Sequence, residues 1–169
     1  AWRPVVGEGG HVSLAALDDL ESDALRVLRR QFGHVSAERV LSGPGLMNLY
    51  RALCEISAVA ADAIEPSEIT RRALAGEDRL CALAVERFLG WLGAVSGDVA
   101  LTLGARGGVY IAGGIVPHLG PVIATSPFRE RFESKGRYRA YLAAVPTWLI
   151  ASGTDAALRG ASLALDLDG

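Results

Sequence analysis

The sequence predicts a layered α/β domain in which helices outweigh strands. Three observations carry that expectation. Long segments repeat apolar residues at three- and four-residue spacing, two short β-branched and aromatic runs stand apart with helical segments between them, and glycine or proline punctuates most junctions. The 169 residues fit one domain, and folding at that size buries roughly 70% of the unfolded surface. A composition of 50% hydrophobic and 21% charged residues supports a filled core and excludes a disordered chain.

Taken in order, residues 2 to 6 (WRPVV) and 11 to 14 (HVSL) read as short strands on either side of a glycine turn, with Pro4 placing the first at an edge. From 18 to 32, Leu20, Ala24, Leu25, Leu28 and Phe32 share a helical stripe while Arg26, Arg29 and Arg30 point outward, and Gly33 stops the helix. Ser42 is placed to cap a helix running to about 57, with Leu46, Leu49, Tyr50, Leu53 and Ile56 on one face. Its first turn, Gly43-Pro44-Gly45, adds no side-chain bulk, so another backbone or an anion could approach. Residues 67 to 75, with Ser67 placed to cap, form a short helix ending at Gly76.

A long helix follows from about 78 to 103. Its Gly90, Gly93 and Gly97 each cost about 0.5–1 kcal/mol against alanine, which implies tight packing against another element. The run 109 to 112 reads as a strand that ends in Gly113-Gly114 and enters a helix, placing backbone amides at a strand's carboxyl edge, where α/β proteins collect ligands. Ser126-Pro127 opens a helix with Phe128 and Phe132 on one face, 138 to 144 is a further helical piece, and 146 to 151 is the last strand. Thr154 or Asp155 starts a closing helix with Leu158, Ala161 and Leu165 aligned.

Seventeen Lys and Arg against nineteen Asp and Glu give a net charge of −2, which offers phosphate backbones no basic surface and argues against a nucleic-acid partner. The most apolar segment, 80 to 103, is interrupted by Glu86, Arg87 and Asp98, which are costly in lipid, and reads as a buried helix rather than a membrane span. Cys54 and Cys81 lack metal-site spacing and read as small apolar core residues of a reducing compartment. The chain starts Ala1-Trp2-Arg3-Pro4, without a methionine or a signal-peptide pattern, as a processed chain or an excised piece would.

The stretch GEGGH, residues 7 to 11, is the sharpest candidate site. Gly9 and Gly10 permit positive φ and leave no side chains above the backbone, while Glu8 and His11 present a carboxylate and an imidazole. A carboxylate can accept from two vicinal hydroxyls and an imidazole can donate or accept, which suits a polyol such as a sugar. Two other readings fit the same residues: a solvated surface turn, and a metal site built from Glu8, His11, His34 and Glu38, although no HxxxH spacing ties two of those to one helix face.

Longer strings add a family likeness. GEGGHVSL, GHVSAERVLSGPGLMNLYRAL at 33 to 53, GDVALTLGARGGVYIAGGIVP at 97 to 117 and the stretch from Phe128 through Gly136 to PTWLI together resemble the proteobacterial-type bacterial glucokinases. They match the large C-terminal domain of that enzyme, with the N-terminal domain absent from this chain. The resemblance implies a helix-rich α/β domain of the ribonuclease-H-like, actin-like ATPase type, and ATP-dependent phosphorylation of glucose at its 6-hydroxyl in the cytoplasm by a homodimer.

By the same resemblance Glu8, His11 and Glu38 contact sugar hydroxyls, Gly113 and Gly114 fall on the adenosine-binding motif, and ATP and Mg2+ are the cofactors. The 42 to 45 turn is assigned mainly to packing. The Cys-rich zinc motif of the repressor-and-kinase sugar kinases is absent, so no metal ligands are expected in this chain. The catalytic base of the family, an Asp following an Asn, and its phosphate loops belong to segments this chain does not contain, and none of its own Asp residues sits in a motif that replaces the base. The expectation is a glucokinase parent and an isolated chain without catalysis; a sugar-binding module and a self-association module are the alternatives.

Overall fold

The computed structural model describes residues 5–151 and 155–165. Local chemistry places each helix start. Asp18 accepts from the Glu21 amide at 2.8 Å and begins α1 (Asp19–Phe32), which Gly33 ends at φ 71. Ser42 accepts from the Gly45 amide at 3.0 Å and begins α2 (Gly43–Ile56). Asp78 accepts from the Leu80 and Cys81 amides and begins α4 (Arg79–Leu103). Ser67 does not cap: Pro66 takes the first position of α3 (Pro66–Ala75), pre-set at the helical φ, and moves the boundary to Glu65.

The core is organised around α4, which packs against α2 and α3 on one side and α6 (Phe128–Glu133) on the other. Its length and composition suit a membrane span, yet Cys81, Ala84, Val85, Phe88, Leu89 and Trp91 lie inside one apolar cluster with Leu25, Leu28, Leu46, Leu49, Leu53 and Ile69. The glycines meet the expectation of close packing. A Cβ on Gly93 would stand 2.8 Å from the Phe128 carbonyl carbon, and one on Gly97 would stand 3.3 Å from that of Phe132. Helix α6 therefore lies directly on the backbone of α4.

Strands β1 (Val109–Ile111) and β2 (Thr147–Leu149) pair in parallel, with Tyr110 opposite Trp148 and their rings stacked at 4.7 Å. The crossover between them runs through α5 (Val116–Thr125), kinked at Gly120, then α6 and α7 (Arg139–Ala143). Beneath it Ala100, Phe132, Leu142 and Val145 form a second apolar cluster.

The N-terminal strand pair does not form among the described residues. Residues 5 and 6 have no regular structure, residues 9 to 11 make a 3-10 turn, and Gly9 and Gly10 stay outside the positive-φ glycines. Residues 12 to 14 pair instead with 35 to 37: the Leu14 amide donates to the Val35 carbonyl and the Ala37 amide to the Val12 carbonyl, each at 3.0 Å, around a single antiparallel bridge from Ser13 to Ser36. Alternation identified a strand-like piece but not its partner, which comes from the segment after α1. In α8 (Ala156–Leu165) the aligned Leu158, Ala161 and Leu165 are all exposed. Thr154 lies outside the described residues.

Both cysteines are free and buried. Burial pushes the Cys81 thiol up to about 12 and raises that of Cys54 as well. The expected result is that neither reacts with an aromatic disulfide reagent at pH 8 in the native protein, while both react in guanidinium; rapid native labelling would contradict it.

Candidate functional site

Two clefts meet at the first turn of α2. The first, about 430 Å³, is lined by His11, Phe32, His34, Ser36, Glu38, Arg39, Ser42, Pro44 and Asn48. Within it the chain closes 27 positions of sequence to bring His11 Nε2 within 3.3 Å of Glu38 Oε2. The pairing is local in origin. The 12 to 14 segment lies antiparallel along 35 to 37, so the 3-10 turn that precedes it, Gly9–His11, and the one that follows its partner, Ala37–Arg39, sit at the same end of the pairing. Glu8 stands 4.0 Å from the same imidazole and is 88% exposed. An imidazole and a carboxylate thus line an open, polar cleft, with the Glu8 carboxylate next to the imidazole.

The structure brings together Glu8, His11 and Glu38 and separates their metal-site companion. His34 is on the cleft wall, but its Nε2 is 3.0 Å from Ser13 Oγ. Among the described residues no three His, Cys, Asp or Glu side chains are placed so that they could hold a metal ion, so the four-residue metal set is not assembled. Sequence reasoning missed Arg39 and Asn48. Arg39 stacks over the Phe32 ring at 4.3 Å, and the Asn48 amide donates to the Arg39 carbonyl at 3.1 Å, bracing the turn that carries Glu38. No local signal marks them, since their partners come from the end of α1 and the second turn of α2.

The second cleft, about 480 Å³, is predominantly apolar and is walled by α3 residues Pro66, Ser67, Thr70, Arg71 and Leu74, by Leu46 of α2, and by Gly114, Ile115 and His118. Strand β1 ends at Ile111, Gly113 takes φ 123, and α5 begins after Ile115 with no side-chain cap; in its first turn Pro117 has no N–H and the His118 amide donates to the Ile115 carbonyl at 3.0 Å. No heavy atom outside the immediate chain lies within 4 Å of a Cβ position on Gly113 or Gly114. The glycine turn is therefore open above its backbone, and α3, α2 and α5 enclose an apolar slot beside it. The α3 wall also escaped sequence reasoning, which gave that helix no role at a site.

The 42 to 45 turn joins the two clefts. Ser42 and Pro44 face the first and Leu46 the second, while a Cβ on Gly45 would stand 2.8 Å from Val40 Cα. The glycine admits the backbone of the preceding turn, as its packing role requires. Two concave sites, one polar and one apolar, thus flank a single helix start.

The fold is that of the ribonuclease-H-like, actin-like sugar kinases. A glucokinase from an Antarctic psychrotroph superposes with a TM-score of 0.82 at 39% identity, over 86% of this chain and 46% of that one. A Balamuthia mandrillaris glucokinase solved in complex with glucose shares the fold at a TM-score of 0.76 and 16% identity, over 89% and 44% of the two chains. The chain belongs to the glucokinase family, whose model matches residues 1–167. Glucokinases of Nitrobacter hamburgensis and Aromatoleum aromaticum are 49% and 51% identical over 165 residues, 98% of this chain, but it covers only 52% and 50% of their own lengths. The chain spans about half the length of the curated relatives it matches.

Proposed function

We propose that the protein supplies the sugar-hydroxyl and adenosine contacts of a glucokinase, which transfers a phosphoryl group from ATP to the 6-hydroxyl of glucose in the cytoplasm. The observation that carries this reading is the His11 to Glu38 approach, 3.3 Å across an open polar cleft, in a chain of the glucokinase family. Glu8 and Glu38 accept from vicinal hydroxyls and His11 orients them. The adenosine of ATP lies along Gly113 and Gly114 in the apolar slot against α3. That slot fits a planar ring system: its lining is mainly apolar, and the glycines present backbone without side chains.

Phosphoryl transfer also needs a base, phosphate-holding loops and Mg2+. The described residues offer no carboxylate set for the metal, so no residue of this chain is assigned to it and no step is derived through it. The expected result is no glucose-dependent ADP release from the purified chain with ATP and Mg2+. Joined to the first half of the Nitrobacter glucokinase, the same chain is expected to give turnover that Glu38→Ala abolishes. A folded chimera that binds glucose but releases no ADP would overturn the reading. Homodimer formation is part of the proposal, supported by exposed Val12, Leu17, Val99 and Leu103 around an apolar groove beside Trp91.

A further inference from the structure

Glu21 is 1% exposed in the first turn of α1, where the other acidic residue of that turn, Asp19, faces solvent. A carboxylate buried so completely needs partners. Its Oε1 lies 3.3 Å from Arg131 Nη2 and 3.8 Å from Arg87 Nη1, and its Oε2 accepts the Leu17 amide at 2.7 Å. Asp18 completes the junction: Oδ1 caps α1, and Oδ2 receives Arg87 at 2.5 Å and Arg131 at 2.9 Å. Residues from α1, α4 and α6 therefore converge on two adjacent carboxylates, and the buried Arg87 Nε is left without a hydrogen-bond partner.

The junction does more than join helices, because one of its bonds goes to the backbone just before α1. Residues 12 to 17 run as a strap from the 3-10 turn holding His11 to the start of that helix. Besides the Ser13–His34 contact, four bonds hold the strap: Ala37 amide to Val12 carbonyl, Leu14 amide to Val35 carbonyl, the Trp91 indole to the Ala15 carbonyl at 2.9 Å, and Leu17 amide to Glu21. Two of the four fasten it to the 35 to 37 segment beside Glu38. The other two fasten it to α4 through Trp91 and, through Glu21, to Arg131 of α6 and Arg87 of α4.

We propose that Glu21 and Trp91 are positioning residues that hold the 12 to 17 strap against the long helix and so set His11 opposite Glu38. The link to sugar binding rests on the function proposed above; the link to the strap does not. Burial raises the Glu21 carboxyl, against the pull of the Leu17 amide and the guanidiniums. Burial also pushes Asp18 up, but the Glu21 amide and the two arginines outweigh it and leave that carboxyl below its usual range.

The test is amide hydrogen exchange on the full chain, read residue by residue, for Glu21→Gln and Trp91→Phe. Glutamine keeps an acceptor for Leu17 and loses the charge; phenylalanine keeps most of the ring and loses the donor. Each is expected to speed exchange at Leu14 and Ala37 about tenfold or more and to shift the His11 imidazole 15N resonances, while α2 amides keep their protection. A uniform rise across α2 and α4, or no change at the strap, would sink the proposal; if Glu21→Gln fails to fold, Trp91→Phe decides between the same outcomes. Glucose titration separates the two ideas. Strap loosening with unaltered glucose-induced shifts in the variants overturns the link to the sugar, whereas strap loosening in the variants with no glucose shifts at His11 in the wild-type chain overturns the sugar reading and leaves the strap intact.

Discussion

Replacing Gly93 by alanine is expected to cost about 3 kcal/mol or more and to lower the melting temperature by roughly 6–12 °C in a chain of this size. The new methyl carbon would stand 2.8 Å from the Phe128 carbonyl carbon and 3.0 Å from its Cα, closer still to the oxygen, and backbone cannot rotate aside as a side chain can. Helix α6 would have to lift off α4, taking Phe128 and Phe132 partly out of the two apolar clusters they join. Gly90 is the internal control. Its added methyl would meet Pro127 Cγ at 3.6 Å and Arg131 Cγ at 3.8 Å, ordinary contact distances, so Gly90→Ala is expected to be neutral or to stabilise by up to about 1 kcal/mol through helix propensity. Denaturant melts of the two variants check the pair: equal destabilisation would mean that α6 is not seated on the α4 backbone.

That contrast shows how far the sequence could be read. Three glycines in one apolar helix announced a close neighbour, because nothing else offsets their conformational cost, yet pattern alone could not say that one of the three is only loosely covered. Helix starts at Asp18, Ser42 and Asp78 were legible because capping is a contact between near neighbours. The strand partner of 12 to 14 was not legible, because the short pairing is set by how α1 returns the chain, and GEGGH became a 3-10 turn rather than a hairpin. The exposed stripe of α8 marks the limit of the amphipathic signal: aligned leucines show which face a helix offers, and no partner for that face is present among the described residues. Glu21 lay below detection for a related reason. An acid in a first turn ordinarily complements the helix dipole from solvent, and only the arrival of Arg87 and Arg131 from helices more than sixty residues away turns it into a buried junction.

If the polar cleft holds the sugar as proposed, Glu38→Ala is expected to weaken glucose binding tenfold or more, while Glu8→Ala weakens it less. A hydrogen bond to a charged group contributes about 1.5–3 kcal/mol, and each 1.4 kcal/mol is a factor of ten in affinity. Glu38 is held in place on a turn braced by Arg39 and Asn48, and it faces His11 at 3.3 Å, so its removal deletes one acceptor and releases the imidazole that orients another contact. Glu8 stands 4.0 Å from His11 with 88% of its side chain exposed, and most of its freedom must be given up on binding. Glu38→Gln should fall between wild type and alanine, keeping one acceptor without the charge. Because the Glu38 side chain is 58% exposed, neither substitution at that position should move the melting temperature much, which separates lost recognition from lost structure. Calorimetry or chemical-shift titration with glucose reads the order directly, and a Glu8→Ala loss equal to or larger than that of Glu38→Ala would place the centre of recognition on the wrong side of His11.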